Sequence, residues 1–430
     1  MKHNPFWAAI SKVLAVMTVT LVVALILAPG AWAAGTYKIL HKFSRTEGGE
    51  PMGALIFDTS GNLYGTAFGG GCCSSGDPGT IFKLAPNANG SWTQSVLYSF
   101  TTEGLDGLFV VSAVIFDQAG NLYGTTVEGG NRSLCGGQGC GVVYKLTPNS
   151  DGSWTESVLH SFNGSDGETL VGGLVFDTNG NLYGTAASGG AYGHGVVFKL
   201  APNSDGSWTE SAIHDFMGGK DGGYPDRGNL IFDAAGNLYG VTAGWNGGDS
   251  NGTVFELTPN SDGTWTESVL HSFSWGKDGA VAEGTLTFDQ AGGLYGATLA
   301  GGAYGHGTIF RLTRGSDGTW KKAVLHQFKG GKDGSSPYAG VVFDTAGNLY
   351  GTTDDGGVGS CRPNGTGCGT VFKLIPNSKG GWTGQVLHRF EANPASNPTG
   401  GVLFDAAGNL YATTSNTGFN NHGVVFEITP

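Results

Sequence analysis

Charge is scarce in this sequence. Only 13% of its 430 residues are Asp, Glu, Lys or Arg, and the formal net charge is −12. The charged share is about half the usual one. Without a basic stripe to track a phosphate backbone, nucleic acid is excluded as a partner. Catalytic signatures in their required context are missing too: there is no His-Glu-x-x-His helix or phosphate loop, the Gly-x-Ser-x-Gly string at Gly248 to Gly252 sits in a Gly-rich loop and not at a strand-to-helix elbow, and the many Gly-x-Gly strings follow turns instead of opening a helix. What is abundant excludes long helices. There are 79 Gly and 15 Pro, about 22% of the chain, and each interior Gly costs a helix about 1 kcal/mol. Disorder, the other usual meaning of such a composition, is excluded by 39% hydrophobic and 11% aromatic residues, which supply apolar surface to bury. The glycines must then recur at fixed turn positions.

At the N-terminus Lys2 and Lys12 precede an apolar run from Val13 to Ala28, followed by Pro29-Gly30 and the small-residue site Ala31-Trp32-Ala33. This order reads as a signal peptide cleaved after Ala33. The run is shorter than the roughly 20 residues of a spanning helix, although an uncleaved anchor is the alternative. No cysteine follows closely, which argues against a lipoprotein. Cleavage leaves a net charge of −14 on an acidic, exported chain, secreted to the extracellular space or periplasm. No later stretch is apolar enough to span a membrane, and the chain ends at Pro430 without a hydrophobic tail, so no membrane attachment is expected after cleavage.

The rest of the chain is a sevenfold repeat. Phe-Asp-x-x-Gly-Asn-Leu-Tyr-Gly begins at Phe57, Phe116, Phe176, Phe232, Phe288, Phe343 and Phe404, at spacings of 55 to 61 residues, with Gly293 replacing Asn once and Ala412 replacing the last Gly once. A Val/Ile-Phe/Tyr-Lys/Glu/Arg-Leu/Ile element and a Val-Leu-His-x-Phe element each recur seven times as well. In the third copy these resolve into strand A (173–177), B (181–186), C (195–201) and D (208–216), with tight Asp-Thr-Asn-Gly and Asn-Ser-Asp-Gly hairpins joining A to B and C to D. Length alone suggests about three domains. Seven four-stranded units instead predict one all-β domain over 34–430, a seven-bladed β-propeller of antiparallel blades. The chain is out of phase by one strand: Tyr37 to Phe43 is a lone strand D, and the last copy ends after strand C, Val424 to Thr429. The first strand can therefore complete the last blade and close the ring, whereas an open solenoid would gain nothing from this phase.

These repeats resemble the GloVer tandem-repeat proteins, the choice-of-anchor family of bacterial surface proteins named for Gloeobacter and Verrucomicrobia members, from about Tyr37 to Pro430. The resemblance implies an exported, often surface-tethered protein and carries over no catalytic residues. The sequence departs from the family by lacking a C-terminal sorting segment.

Residues found in most copies are explained first by blade architecture. The strand D residues His41, Tyr98, His160, His214, His271, His326 and His388 should pack between blades. The strand-opening Trp92, Trp154, Trp208, Trp265, Trp320 and Trp382 should pack likewise. Asp58, Asp117, Asp177, Asp233, Asp289, Asp344 and Asp405 read as turn caps, with calcium the lesser alternative because no second carboxylate accompanies each one.

Function should sit where copies differ. The B to C and D to A loops share one face of the disc, and the irregular residues fall there: Tyr192, His194, Trp245, Asp249, Tyr304, His306, Arg362, Phe419 and His422 on the first class, Tyr224, Arg227, Trp275 and Tyr338 on the second. Trp245 and Trp275 fall outside the Trp repeat, and the topology predicts that they lie close together. Exposed rings beside Asp, Asn and Arg can stack on sugar faces while polar groups read hydroxyls. The expected ligand set is Trp245, Trp275, Asp249, Tyr224, Tyr192, Tyr304, His194 and His306, with an extracellular or cell-surface glycan as partner. The competing reading is that these side chains only pack their own loops.

As an alternative, an enzyme of the polysaccharide lyase type would use Tyr192, His194, Tyr304 and His306 as acids and bases, with Arg227 or Arg362 neutralising a uronate. The near-identical Gly-Ala-Tyr-Gly-His-Gly loops that hold the four are, however, explained by repeat duplication. Loop-local disulfides Cys135–Cys140 and Cys361–Cys368 fit the exported setting. Cys72 and Cys73 are left as a vicinal bridge, a cross-loop arrangement or free thiols. Four ligands never converge within one loop, which disfavours zinc. The sequence thus gives no metal, no cofactor and a monomer.

Overall fold

The computed structural model describes residues 35–70, 78–244, 251–361, 366–393, 395–416 and 422–430. The expected signal peptide 1–33 and Cys72, Cys73, Trp245, Asp249, Arg362 and Phe419 lie outside them, so the expected closeness of Trp245 to Trp275 does too.

Each repeat begins with a hairpin made by one aspartate. In the third blade Asp177 Oδ1 accepts the backbone N–H groups of Asn179 (2.8 Å) and Asn181 (2.9 Å), while Oδ2 accepts Asn181 Nδ2 (2.7 Å) and the Tyr183 hydroxyl (3.2 Å). Burial works against ionisation here, but these donors outweigh it and hold the carboxyl below its usual range. The same bracket recurs in all seven blades; in the fifth, Gly293 replaces Asn and its side-chain bond is absent.

The strands then pair in order. In the third blade they are Val175–Phe176, Leu182–Ala186, Val196–Pro202 and Trp208–Asp215, hydrogen-bonded as consecutive antiparallel neighbours. Strand A pairs over only two residues, shorter than its apolar pattern suggests, and Leu174 just before them is buried in the core outside the ladder. Six sheets are each built from one repeat. In the seventh, the N-terminal Thr36–Lys42 pairs with Val424–Thr429 and completes the blade. The architecture is a closed seven-bladed propeller.

Two aromatic rings hold neighbouring blades together. The Phe that opens each repeat meets the repeat Tyr of the preceding blade edge to face at 5.0 to 5.3 Å, all the way around from Phe57–Tyr411 to Phe404–Tyr350. Further out, the Phe ending strand D meets the strand C aromatic of the next blade at 4.8 to 5.3 Å, again seven times. Each such pair contributes about 0.5–1.5 kcal/mol beyond its buried area. The repeat glycine makes room for the outer ring: a Cβ on Gly184 would lie 2.5 Å from Phe198 Cζ.

Candidate functional site

The loop face is assembled by a backbone latch at every junction. Glu50, Phe109, Thr169, Tyr224, Val281, Ser336 and Asn397 occupy one equivalent position per blade, and all have φ between 55° and 63°. Each N–H donates to a carbonyl on the B to C loop of the preceding blade, at 2.7 to 3.1 Å (for example Tyr224 to His194). The carbonyls of Glu50, Phe109, Thr169, Tyr224, Ser336 and Asn397 accept in turn from the following blade, as Glu50 does from Phe68. A left-handed non-glycine residue costs roughly 1–2 kcal/mol, which these bonds offset. The position carries seven different side chains in seven structurally equivalent places. Only Tyr224 was legible as special in the sequence; the Pro that follows in four copies (Pro51, Pro225, Pro337, Pro398) is the signal that could have found the rest.

Tyr192, Tyr304 and Trp275 are 58%, 54% and 52% exposed, and Leu105 and Met217 on D to A loops are exposed as well. Of the candidate loop-face residues, these three aromatic side chains thus open over blades 3 to 5, whereas His194, Tyr224 and His306 are half-buried. Trp275 is held at φ 65°, where the sister loops have Gly218 and Gly330 at 78° and 72°. A Cβ on Gly218 would approach His194 Nε2 to 3.0 Å, and one on Gly330 would approach His306 Nε2 to 2.6 Å. At the junction of Trp275 the corresponding loop residue is Asn251, whose carbonyl accepts the Val281 N–H, so no imidazole blocks a side chain.

The Tyr and His of the duplicated loops therefore part ways. His194 packs edge-on to Tyr224 at 5.6 Å, and His306 Nδ1 hydrogen-bonds Ser335 Oγ at 3.0 Å. Both imidazoles lie beneath the next loop, while both tyrosines stand above it.

Arg227 is placed elsewhere, in the central channel. A cavity of about 250 Å³ is lined by short segments of all seven blades, mostly small residues such as Gly53, Ala54, Ser112 and Gly400, together with Arg227 and Tyr338. The guanidinium lies 5.0 Å from the Tyr338 ring centre. Its Nε is 3.9 Å from Asp226. Burial pushes the Asp226 carboxyl up despite that neighbour. Burial, with Asp226 and Asp354 adding repulsion, pushes Glu283 up to about 8. Arg227 thus meets the channel with acids of blades 4 to 6 around it.

Two disulfides close B to C loops as expected, Cys135–Cys140 and Cys361–Cys368. The sequence did not reveal what the strand D histidines face. His160, His214, His271 and His326 each meet a carboxylate six or seven residues on, at 3.0 Å (Asp166), 3.4 Å (Asp221), 3.2 Å (Asp278) and 3.2 Å (Asp333). In the first blade Tyr98 takes the place of His and bonds Asp106 at 3.1 Å.

Solved propellers share this arrangement. PorZ, described as an essential bacterial surface component of the type-IX secretion system of Porphyromonas gingivalis, superposes over 91% of this chain with a TM-score of 0.53 and 14% identity; the chain spans only 48% of its length. A luciferin-regenerating enzyme (TM-score 0.43, 14% identity, 92% of this chain and 95% of the other) and the NanB sialidase of Streptococcus pneumoniae (0.43, 14%, 91% and 70%) also match. At such identities the likeness concerns the fold alone. No curated protein matches the chain. The Gloeobacter/Verrucomicrobia repeat pattern matches residues 31–243, 133–360 and 227–430. With that pattern running from the first strand to the last, the chain belongs to the Gloeobacter/Verrucomicrobia repeat family.

Proposed function

We propose that this is an exported propeller that binds carbohydrate on its loop face without turning it over, presenting Trp275, Tyr192 and Tyr304 as stacking platforms. Trp275 carries the reading. An exposed indole held in a backbone conformation that its sister loops assign to glycine is strained without a packing return, and such strain clusters at ligand sites. Export is supported by the N-terminal apolar run and by the two disulfides. The duplicated loops favour binding over lyase chemistry, because each His that would act as base is packed under a neighbouring loop.

The test incubates the protein with immobilised acidic and neutral polysaccharides and records both retention and unsaturated products. Retention without product, weakened at least tenfold by Trp275→Ala and by the Tyr192→Ala/Tyr304→Ala pair, is the expected result. Unchanged binding in these variants, or product formation lost on His306→Ala, would sink it.

A further inference from the structure

The junction between blades 4 and 5 contains a built-in cation. Lys322, the second residue after the strand-opening Trp320, reaches back to the preceding blade, where its Nζ lies 2.8 Å from Asp278 Oδ1 and also donates to the Asp278 carbonyl. His271 faces the same aspartate. The Lys322 side chain is only 6% exposed. The strand D histidines His160, His214 and His326 meet a loop carboxylate in the same way, so the equivalent place beside the next strand D recurs at their junctions. In blades 2, 3 and 4 that second position holds Glu156, Glu210 and Glu267 instead of Lys. At the junction of blades 2 and 3 the exchange turns an ion pair into three donors with no cation among them: His160, Asp166 and Glu210 each offer a ligand atom, all within 4.8 Å of one another.

We propose that this junction binds one divalent metal ion, with His160 Nε2, Asp166 Oδ2 and Glu210 as its ligands. Glu210 Oε1 is shielded from solvent and has no hydrogen-bond partner, an arrangement that is costly for a carboxylate unless a positive group meets it. Asp166 is pre-positioned by Asn163, whose backbone N–H and Nδ2 both donate to it at 2.8 Å; outer partners of this kind fix ligand orientation. Asp215 adds negative charge nearby, while its Oδ1 is engaged by the Ala191 N–H at 2.7 Å. One imidazole nitrogen and two carboxylate oxygens, with water in a fourth position, make a tetrahedral set suited to Zn²⁺. The His160 and Asp166 side chains are 22% and 15% exposed, so an ion and its water have a path in. Coordination places the imidazole proton on Nδ1 and breaks the 3.0 Å bond from Nε2 to Asp166. The Glu210 carboxylate closes in from the next blade, so the ion cross-links blades 2 and 3.

The test uses the full chain, untagged and stripped with a chelator, titrated with Zn²⁺ and separately with Mn²⁺ by calorimetry and followed by thermal melting. Saturable binding of one Zn²⁺ with a melting temperature raised by several degrees is expected. Glu210→Gln and His160→Gln should weaken it more than tenfold while keeping the native circular dichroism. Glu210→Lys should abolish binding and melt, without metal, no lower than the stripped parent, because it installs the cation that Lys322 supplies two junctions away. No saturable binding of either ion, or binding that persists in Glu210→Gln and Glu210→Lys, overturns the proposal. Binding lost on changing Glu267 but not Glu210 overturns it equally.

Discussion

At the scale of single residues, Trp275 shows stability and function pulling apart. Its backbone adopts the glycine conformation of Gly218 and Gly330, so Trp275→Gly should raise stability by about 1 kcal/mol in a denaturant melt while removing retention on the polysaccharide that binds. A destabilised variant would mean that the indole packs rather than waits for a ligand. Glu156 sets a pH dependence. Burial, reinforced by Asp106, pushes its carboxyl up to about 7, and Tyr98 and Tyr144 face it as well. The folded state holds this proton more tightly than the unfolded chain does. The associated stability is therefore complete below the ordinary value of 4.5 and is lost as pH rises through about 7. Glu156→Gln should flatten the fall in melting temperature over that window; an unchanged slope would assign it to other groups. Trp275 was legible in the sequence because it breaks a repeat. The His160–Asp166–Glu210 cluster was not: each member repeats in several blades, and Glu210 comes from the next blade, 50 residues along the chain from His160.

At the scale of elements, the turn chemistry was the most readable part. Asp-x-x-Gly fixes the A to B hairpin through four hydrogen bonds to one side chain, and that demand is visible as spacing. The paired length of strand A was less so, since Leu174 belongs to the same apolar pattern as Val175 and Phe176 but packs into the core outside the ladder. The N-terminal strand matters most. Thr36–Lys42 covers Val424–Thr429, where Val424, Val425, Phe426 and Ile428 are buried, and Tyr37 stacks on His388 at 4.0 Å. Deleting residues 35–43 should expose that edge, bind a hydrophobic dye and shift the protein towards aggregates on size exclusion. A monodisperse, normally melting deletion variant would show that the last blade is held by its neighbours instead.

At the scale of the whole molecule, the propeller followed from counting strands, whereas the asymmetry of the ring did not. Sevenfold motifs predict seven equal junctions. The structure makes the junctions differ in what fills one common place: Tyr37, Gln94, three glutamates, Lys322 and Gly384. The channel differs similarly, with Arg227 lining it from the fourth blade and the acids Asp226, Glu283 and Asp354 near that side. The seventh blade has a further consequence, in time rather than in space. Six sheets pair strands from a single repeat and can form as soon as that repeat is available, but the last pairs Thr36–Lys42 with a strand nearly four hundred residues away. Contacts of such long sequence separation form slowly. During synthesis the first strand must therefore wait, unpaired and prone to join another chain, until the end of the last repeat arrives to meet it.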